Sequence, residues 1–342
     1  MMKRVIKLPT PPRFVSYGAV GGQYEGEGPL GEKFDLIDTS DKFGSSTWES
    51  AESEMARLCL NLTLSKNKMS HRDLDLLVAG DLQNQCVSSS AASLDLGVPY
   101  ISLYGACSTC TEGLLVLSSF LSIEEGTGAV ITSSHNSAAE RQFRTPLEYG
   151  AQRTPTSQWT STSAGAFLLS TDESVINNSL YKNVVIEKMM IGRMQDGSTT
   201  DGANMGAAMS FAAADSIITY FAETGESPKD FDLIVTGDLG KVGSSMLKEM
   251  LSLHLPTASE RHTDCGLMLY DIKRRDVHSG ASGCGTSASV LASEILPKLE
   301  TGRLKNILFM STGALMSPSS VLQGQNIVGI APVVHLKYSP IN

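Results

Sequence analysis

The residue with the clearest chemical potential in this sequence is Cys107. It follows the apolar run PYISLYGA through a glycine turn and opens the segment STCTEGLLVLSSF, which reads as a helix. A thiol at a helix N-terminus meets unpaired backbone N–H groups and the positive end of the macrodipole, and both lower its pKa. That placement suits a nucleophile or an anion-binding group; the competing reading is a small buried hydrophobe. Cys107 and Cys110 also form C-x-x-C, but Cys265 and Cys284 stand far apart, so a structural metal site is not expected and Cys110 reads as helix packing.

Three further sets of residues could serve the same site. His135 ends a strand-like run in SSHN, close after the Cys107 helix, and Asp81 and Asn84 lie in the loop GDLQNQ after another strand. Ligands of parallel sheets bind outside the carboxyl ends of strands, where these loops fall. Asp238 stands in a matching GDLGKVG context, and either aspartate could instead cap the helix that follows. Arg141, Arg144 and Arg153 cluster in a polar stretch with Glu140 and Glu148; arginine suits bidentate carboxylate recognition, and the alternative is a solvated, mutually paired loop.

The elements that must carry these residues alternate. DLDLLVAGD, PYISLYGA and GAVITSS read as short strands separated by helical stretches of about Ser88 to Leu96 and Cys107 to Glu125, the pattern of βαβ units in an α/β fold. The chain also repeats. DLDLLVAGDL from Asp73 and DFDLIVTGDL from Asp230 are identical at seven of ten positions, GACS at Gly105 returns as GASG at Gly280, and AVITSSHN at Ala129 is matched by LFMSTGAL at Leu308. Two copies predict two like-folded halves, 1–172 and 173–342, and not a solenoid. The polar run from Asn136 to Gly165, just before the boundary, is expected to be a cap or functional loop.

Composition limits the partners. The chain has 342 residues, a formal charge of −9 and 18% charged residues, so neither a disordered tail nor a coiled coil is expected. Clustered Lys and Arg for a nucleic-acid backbone are lacking, and no nucleic-acid partner is expected. The longest greasy stretch, Gly113 to Ile123, is interrupted by Ser118 and Ser119, and MMKRVIKLPTPPRF turns to proline where a secretory signal would turn apolar. The six cysteines read as reduced intracellular thiols.

Two like halves with a cysteine at a strand-to-helix elbow resemble the thiolase and ketoacyl synthase superfamily. GPLGEKFD, AGDLQNQ, YGACST, SSHNSAAERQFRTPLEYGAQ, DLIVTGDLGKVGS, HTDCGLMLY, SGCGTSAS and STGALMSP narrow the resemblance to the stage V sporulation protein AD family of spore-forming bacteria, from about Gly28 to Val334. The resemblance implies a five-layered α-β-α-β-α fold and binding of dipicolinic acid, pyridine-2,6-dicarboxylate, or its calcium chelate. It also implies a peripheral place at the inner spore membrane of the forespore, beside membrane-embedded proteins of the same transport system, and a possible homodimer. No cofactor is implied beyond calcium carried by the ligand, whose oxygen shell Asp81 could complete. Asp81, Asn84, Cys107, His135 and Arg144 are the expected ligand-binding residues, with Cys107 at the superfamily's nucleophile position.

Condensing enzymes of that superfamily also need His or Asn side chains from the second half to stabilise the enolate. Here the corresponding segments read DLGKVGS and GASGCGTSA, with neither residue, and His262 lies elsewhere, in HTDCG. The expectation is a scaffold kept for its pocket, not a catalyst. The alternative is an acyltransferase or condensing enzyme using Cys107.

Overall fold

A computed structural model describes residues 3–143 and 153–341. The first half supplies strands β1 (Arg13–Gly22), β2 (Leu76–Gly80), β3 (Tyr100–Ser102), β4 (Thr127–Ser134) and β5 (Ser163–Ser170). Its helices are α1 (Trp48–Lys66), α2 (Val87–Ser93), α3 (Thr109–Ile123) and α4 (Asn136–Phe143). The second half supplies β6 (Val184–Met190), α5 (Met205–Thr224), β7 (Leu233–Thr236), α6 (Gly240–His254), β8 (His262–Asp264), α7 (Cys284–Val290), β9 (Asn306–Met310) and β10 (Val333–Tyr338).

The two halves repeat one topology. The first sheet runs β3-β2-β4-β5-β1 and the second β8-β7-β9-β10-β6, each with one strand, β5 or β10, antiparallel to both neighbours. The remaining neighbours, β2–β3 with β2–β4 and β7–β8 with β7–β9, pair in parallel. The sheets touch edge to edge at the pair Arg13↔Val185 of β1 and β6.

Strand alternation assigns the layers. Leu77, Ala79, Ala129 and Ile131 join the cluster under α1 and α2, while their neighbours Val78 and Val130 join a central cluster with Leu114, Leu117 and Leu121 of α3. In the second half Val235, Ile307 and Phe309 face that same centre, and Ile234, Leu308 and Met310 face outward to α5 and α6. The order is helix, sheet, helix, sheet, helix, the five-layered α-β-α-β-α architecture.

The middle layer is exchanged between the halves. On the α3 side, Thr111 Oγ1 accepts from the Ser311 backbone N–H at 2.8 Å, just beyond β9. On the α7 side, Gly285 N–H donates to Ser134 Oγ at 3.2 Å and Cys284 Sγ lies 2.9 Å from the Ser133 carbonyl, at the end of β4. Gly285 is required there: a Cβ would meet the Ser163 carbonyl oxygen at 2.1 Å.

Two segments, Ala106–Ile123 and Met205–Thr224, have the length and hydropathy of a membrane span, and each is 67% buried in the fold. A count of uninterrupted apolar residues passes over the first because Ser118 and Ser119 break it, yet Ser118 is fully buried in α3. The polar run expected as a loop from Asn136 is, at its start, the helix α4, its Ala139 N–H bonded to the His135 carbonyl at 2.9 Å. All six cysteines are free and buried.

Candidate functional site

The repeated elbows meet face to face. Ala106, immediately before Cys107, has φ +51°, a left-handed conformation uncommon for a residue with a Cβ and tolerated where the surroundings enforce it. The repeat aligns Cys107 with Ser282, and their Sγ and Oγ atoms lie 3.8 Å apart across the junction of the halves. Asp238 sits behind both. Its Oδ2 accepts from Ser282 Oγ and Gly283 N–H, each at 2.9 Å, and its Oδ1 accepts from Thr312 Oγ1 at 2.9 Å.

This setting reverses the expected electrostatics of Cys107. The thiol lies two residues ahead of α3, and burial pushes its pKa well up, with the Asp238 carboxylate pushing the same way. Burial overrides the helix N-terminus because desolvating a thiolate costs more than a screened terminal dipole returns. Asp238 is itself raised to about 6, chiefly by burial, and its hydrogen bonds oppose the rise. Replacing Asp238 by Asn keeps the size and removes the charge. We expect Cys107 to alkylate with iodoacetamide faster at pH 8 in that variant, since removing a neighbouring negative charge favours the thiolate; peptide mapping by mass spectrometry would read it, and an unchanged rate would remove Asp238 from the account.

Cys107 and Ser282 line a cavity of about 370 Å³. Its walls come from both halves: Leu82, Tyr104, Ala139 and Phe143 on one side, Met205, Ala314, Met316 and Val321 on the other. Arg153, Ser157 and Gln158 are among the polar residues of the lining. Arg153 and Glu140 are the only charged residues among the described lining.

Of the expected site residues that are described, Cys107 alone is in this lining. Asp81 is fully buried and caps: its Oδ1 accepts from Gln83 N–H at 2.8 Å and its Oδ2 from Ser89 N–H in α2 at 2.7 Å. Asn84 is outside the lining and donates its backbone N–H to Gln142 Oε1 at 2.9 Å. His135 is buried beside Trp48, ring centroids 5.4 Å apart, with Nε2 2.8 Å from the Asp41 carbonyl; burial lowers its pKa and it does not reach the cavity. Arg144 and Glu148 lie outside the described residues.

Among the arginines named with it, Arg141 pairs with Glu49 and Arg153 enters the cavity wall. Ser282 and Asp238 are the residues that composition alone undervalued, and the signal for Ser282 was its alignment with Cys107. His262 hydrogen-bonds Thr236 Oγ1 at 2.8 Å on β8 and has its pKa lowered to about 3 by burial, so it takes no part beside Cys107.

Among the described residues, one group of side chains could hold a metal by distance: Glu187, Glu226 and His335 bring ligand atoms within 4.8 Å of one another. Lysines already occupy it. Lys337 pairs with Glu187 at 3.0 Å and Lys188 with Glu226, so the carboxylates are neutralised in place.

The five layers and the facing elbows define a thiolase-like protein. Among solved structures the fold is similar to 3-oxoacyl-(acyl carrier protein) synthase III, FabH, from Pseudomonas aeruginosa PAO1, with TM-score 0.55 and 13% identity over 97% of this chain and 99% of that one. It is likewise similar to cerulenin-bound OleA of Xanthomonas campestris, with TM-score 0.59 and 13% identity over 96% of this chain and 99% of that one. The profile of the Stage V sporulation protein AD (SpoVAD) family matches residues 2–337, and Stage V sporulation protein AD of Bacillus subtilis (strain 168) is 38% identical over 322 residues, 94% of this chain and 93% of that protein. The chain belongs to the SpoVAD family of sporulation proteins.

Proposed function

We propose that this protein binds dipicolinic acid, or its calcium chelate, in the cavity beside Cys107 and supports its uptake into the developing spore without catalysing a reaction on it. The observation that carries the reading is the partner of Cys107: a carboxylate, Asp238, stands where a condensing thiol needs a group that stabilises its thiolate. The thiol stays protonated at neutral pH, and the cavity that remains is of ligand size, with apolar walls for an aromatic ring and a cation for an acid group. Work beside membrane-embedded proteins at the inner spore membrane belongs to the same proposal. So does a homodimer, for which β3 offers an edge unpaired among the described strands, flanked by the exposed Val87, Leu94 and Tyr104.

Isothermal titration with dipicolinate, with and without calcium, should show saturable one-site binding; heat indistinguishable from dilution under both conditions would refute the reading. The strained elbow at Ala106 keeps one alternative open, an acyltransferase using Cys107. Incubation with acyl-CoA followed by intact mass measurement should give no adduct on Cys107, and a stoichiometric one would favour the enzyme.

A further inference from the structure

Arg153 is held in an unusual state for a cavity arginine. Its side chain is 8% exposed, and its Nη2 donates to the Asp276 carbonyl at 2.6 Å and lies 2.9 Å from Asp276 Oδ2. The guanidinium lies over the Trp159 ring, 4.8 Å from its centroid. Trp159 stacks on Tyr24 at 4.9 Å and 13°, and Arg275 covers the other end of the stack, 4.8 Å from Tyr24. The contact with the Trp159 face and an anchor on two oxygens of Asp276 therefore fix the fork before any ligand arrives, which removes part of the ordering cost of binding.

The other nitrogen of the fork is unused. Nη1 of Arg153 is buried and has no hydrogen-bond partner among the described residues. Gln158, in the same wall, is in a related condition: its Nε2 donates to the Asp238 carbonyl at 2.7 Å and the Ala281 carbonyl at 2.8 Å, while its buried Oε1 has no partner among them. An unsatisfied buried donor on a cation is costly to keep, and Asp276 is mostly exposed, so its neutralisation of the guanidinium is weakened by solvent.

We propose that Arg153 Nη1 is the docking point for a carboxylate of the ligand, and that Arg153, through this contact, makes the cavity select anions over neutral molecules of the same shape. The inference rests on the binding role proposed above and deepens it by naming the residue and the group it takes. The ring of an aromatic acid then runs from the Arg153 end toward the apolar walls.

The test uses the full chain and three acids, dipicolinate, isophthalate and octanoate, together with the uncharged diamide of dipicolinic acid. Arg153→Gln should weaken dipicolinate on the order of 10- to 100-fold, the span of one charge-assisted hydrogen bond, and leave the diamide unchanged. Equal weakening of acid and diamide, or no weakening, overturns the proposal. Asp276→Asn, which strips the anchor's counter-charge at an exposed position, serves as the folded control and should tighten dipicolinate a few-fold; weaker binding there also counts against the proposal. If the wild type ignores dipicolinate but binds isophthalate or octanoate through Arg153, the dipicolinate reading fails and the carboxylate site stands. Binding of none of the three removes both.

Discussion

Phe167→Ala is expected to cost about 3–5 kcal/mol of stability, read as a shift in the urea midpoint at unchanged slope. Phe167 is fully buried on the inward face of β5 and meets Phe14 of β1 edge-on, centroids 6.0 Å apart at 84°. Its neighbours in the central cluster come from both sheets and from the helices between them, so the surroundings cannot collapse from one side to fill the void. The melting temperature should fall on the order of 5–10 °C. A loss below about 1 kcal/mol would mean that the two sheets do not share one rigid core.

Ala139→Phe should abolish ligand binding while leaving a folded protein. Ala139 sits in α4, is 2% exposed and packs with Leu82, Cys107, Cys284 and Phe143 along the cavity wall. A benzyl group added there projects into a space of about 370 Å³, where it takes volume a ligand would need. Overpacking at the wall costs about 1–3 kcal/mol, small beside the loss of the site. Titration with dipicolinate should show no saturable heat; retained affinity in a variant with native melting would place the ligand outside this cavity.

Much of the architecture was legible in the sequence because it rests on local pattern. Alternating apolar runs marked the strands, and the seven-of-ten match between the two GDL segments announced the pseudo-symmetric halves. The site was less legible, and Asp81 and Asp238 show why. Both end matched strands in the same tripeptide, yet Asp81 is consumed in capping its own helix, α2. In the second half that duty passes to Asp264, whose Oδ2 and Oδ1 accept from the N–H groups of Leu239 at 2.9 Å and Gly240 at 3.0 Å, and Asp238 is released toward the elbow. Strand pairing sets Asp264 beside Thr236 as it sets Ser102 beside Ala79, so the deciding difference is Asp against Ser on a neighbouring strand. No reading of the tripeptide alone contains it.

Cys107 carries a second lesson. Helix position predicted a lowered pKa, and part of what reverses it, the contacts with Ser282 and Cys284 and the Asp238 carboxylate, comes from about 130 to 180 positions away in the chain. Arg153 was visible as a member of a polar cluster, but its selection over Arg141 depends on the ring of Trp159 and on Asp276, which the fold alone brings beside it.

The exchanged middle layer has a consequence for the protein's birth. During synthesis the inner face of the first sheet is complete once β5 has emerged, but α7, which seals part of it through Ser133 and Ser134, follows the end of β5 by roughly 110 residues. At about 5–20 residues per second the nascent half waits on the order of 5–25 s with that face unsealed. The core that the two halves share is therefore completed only after α7 has been made.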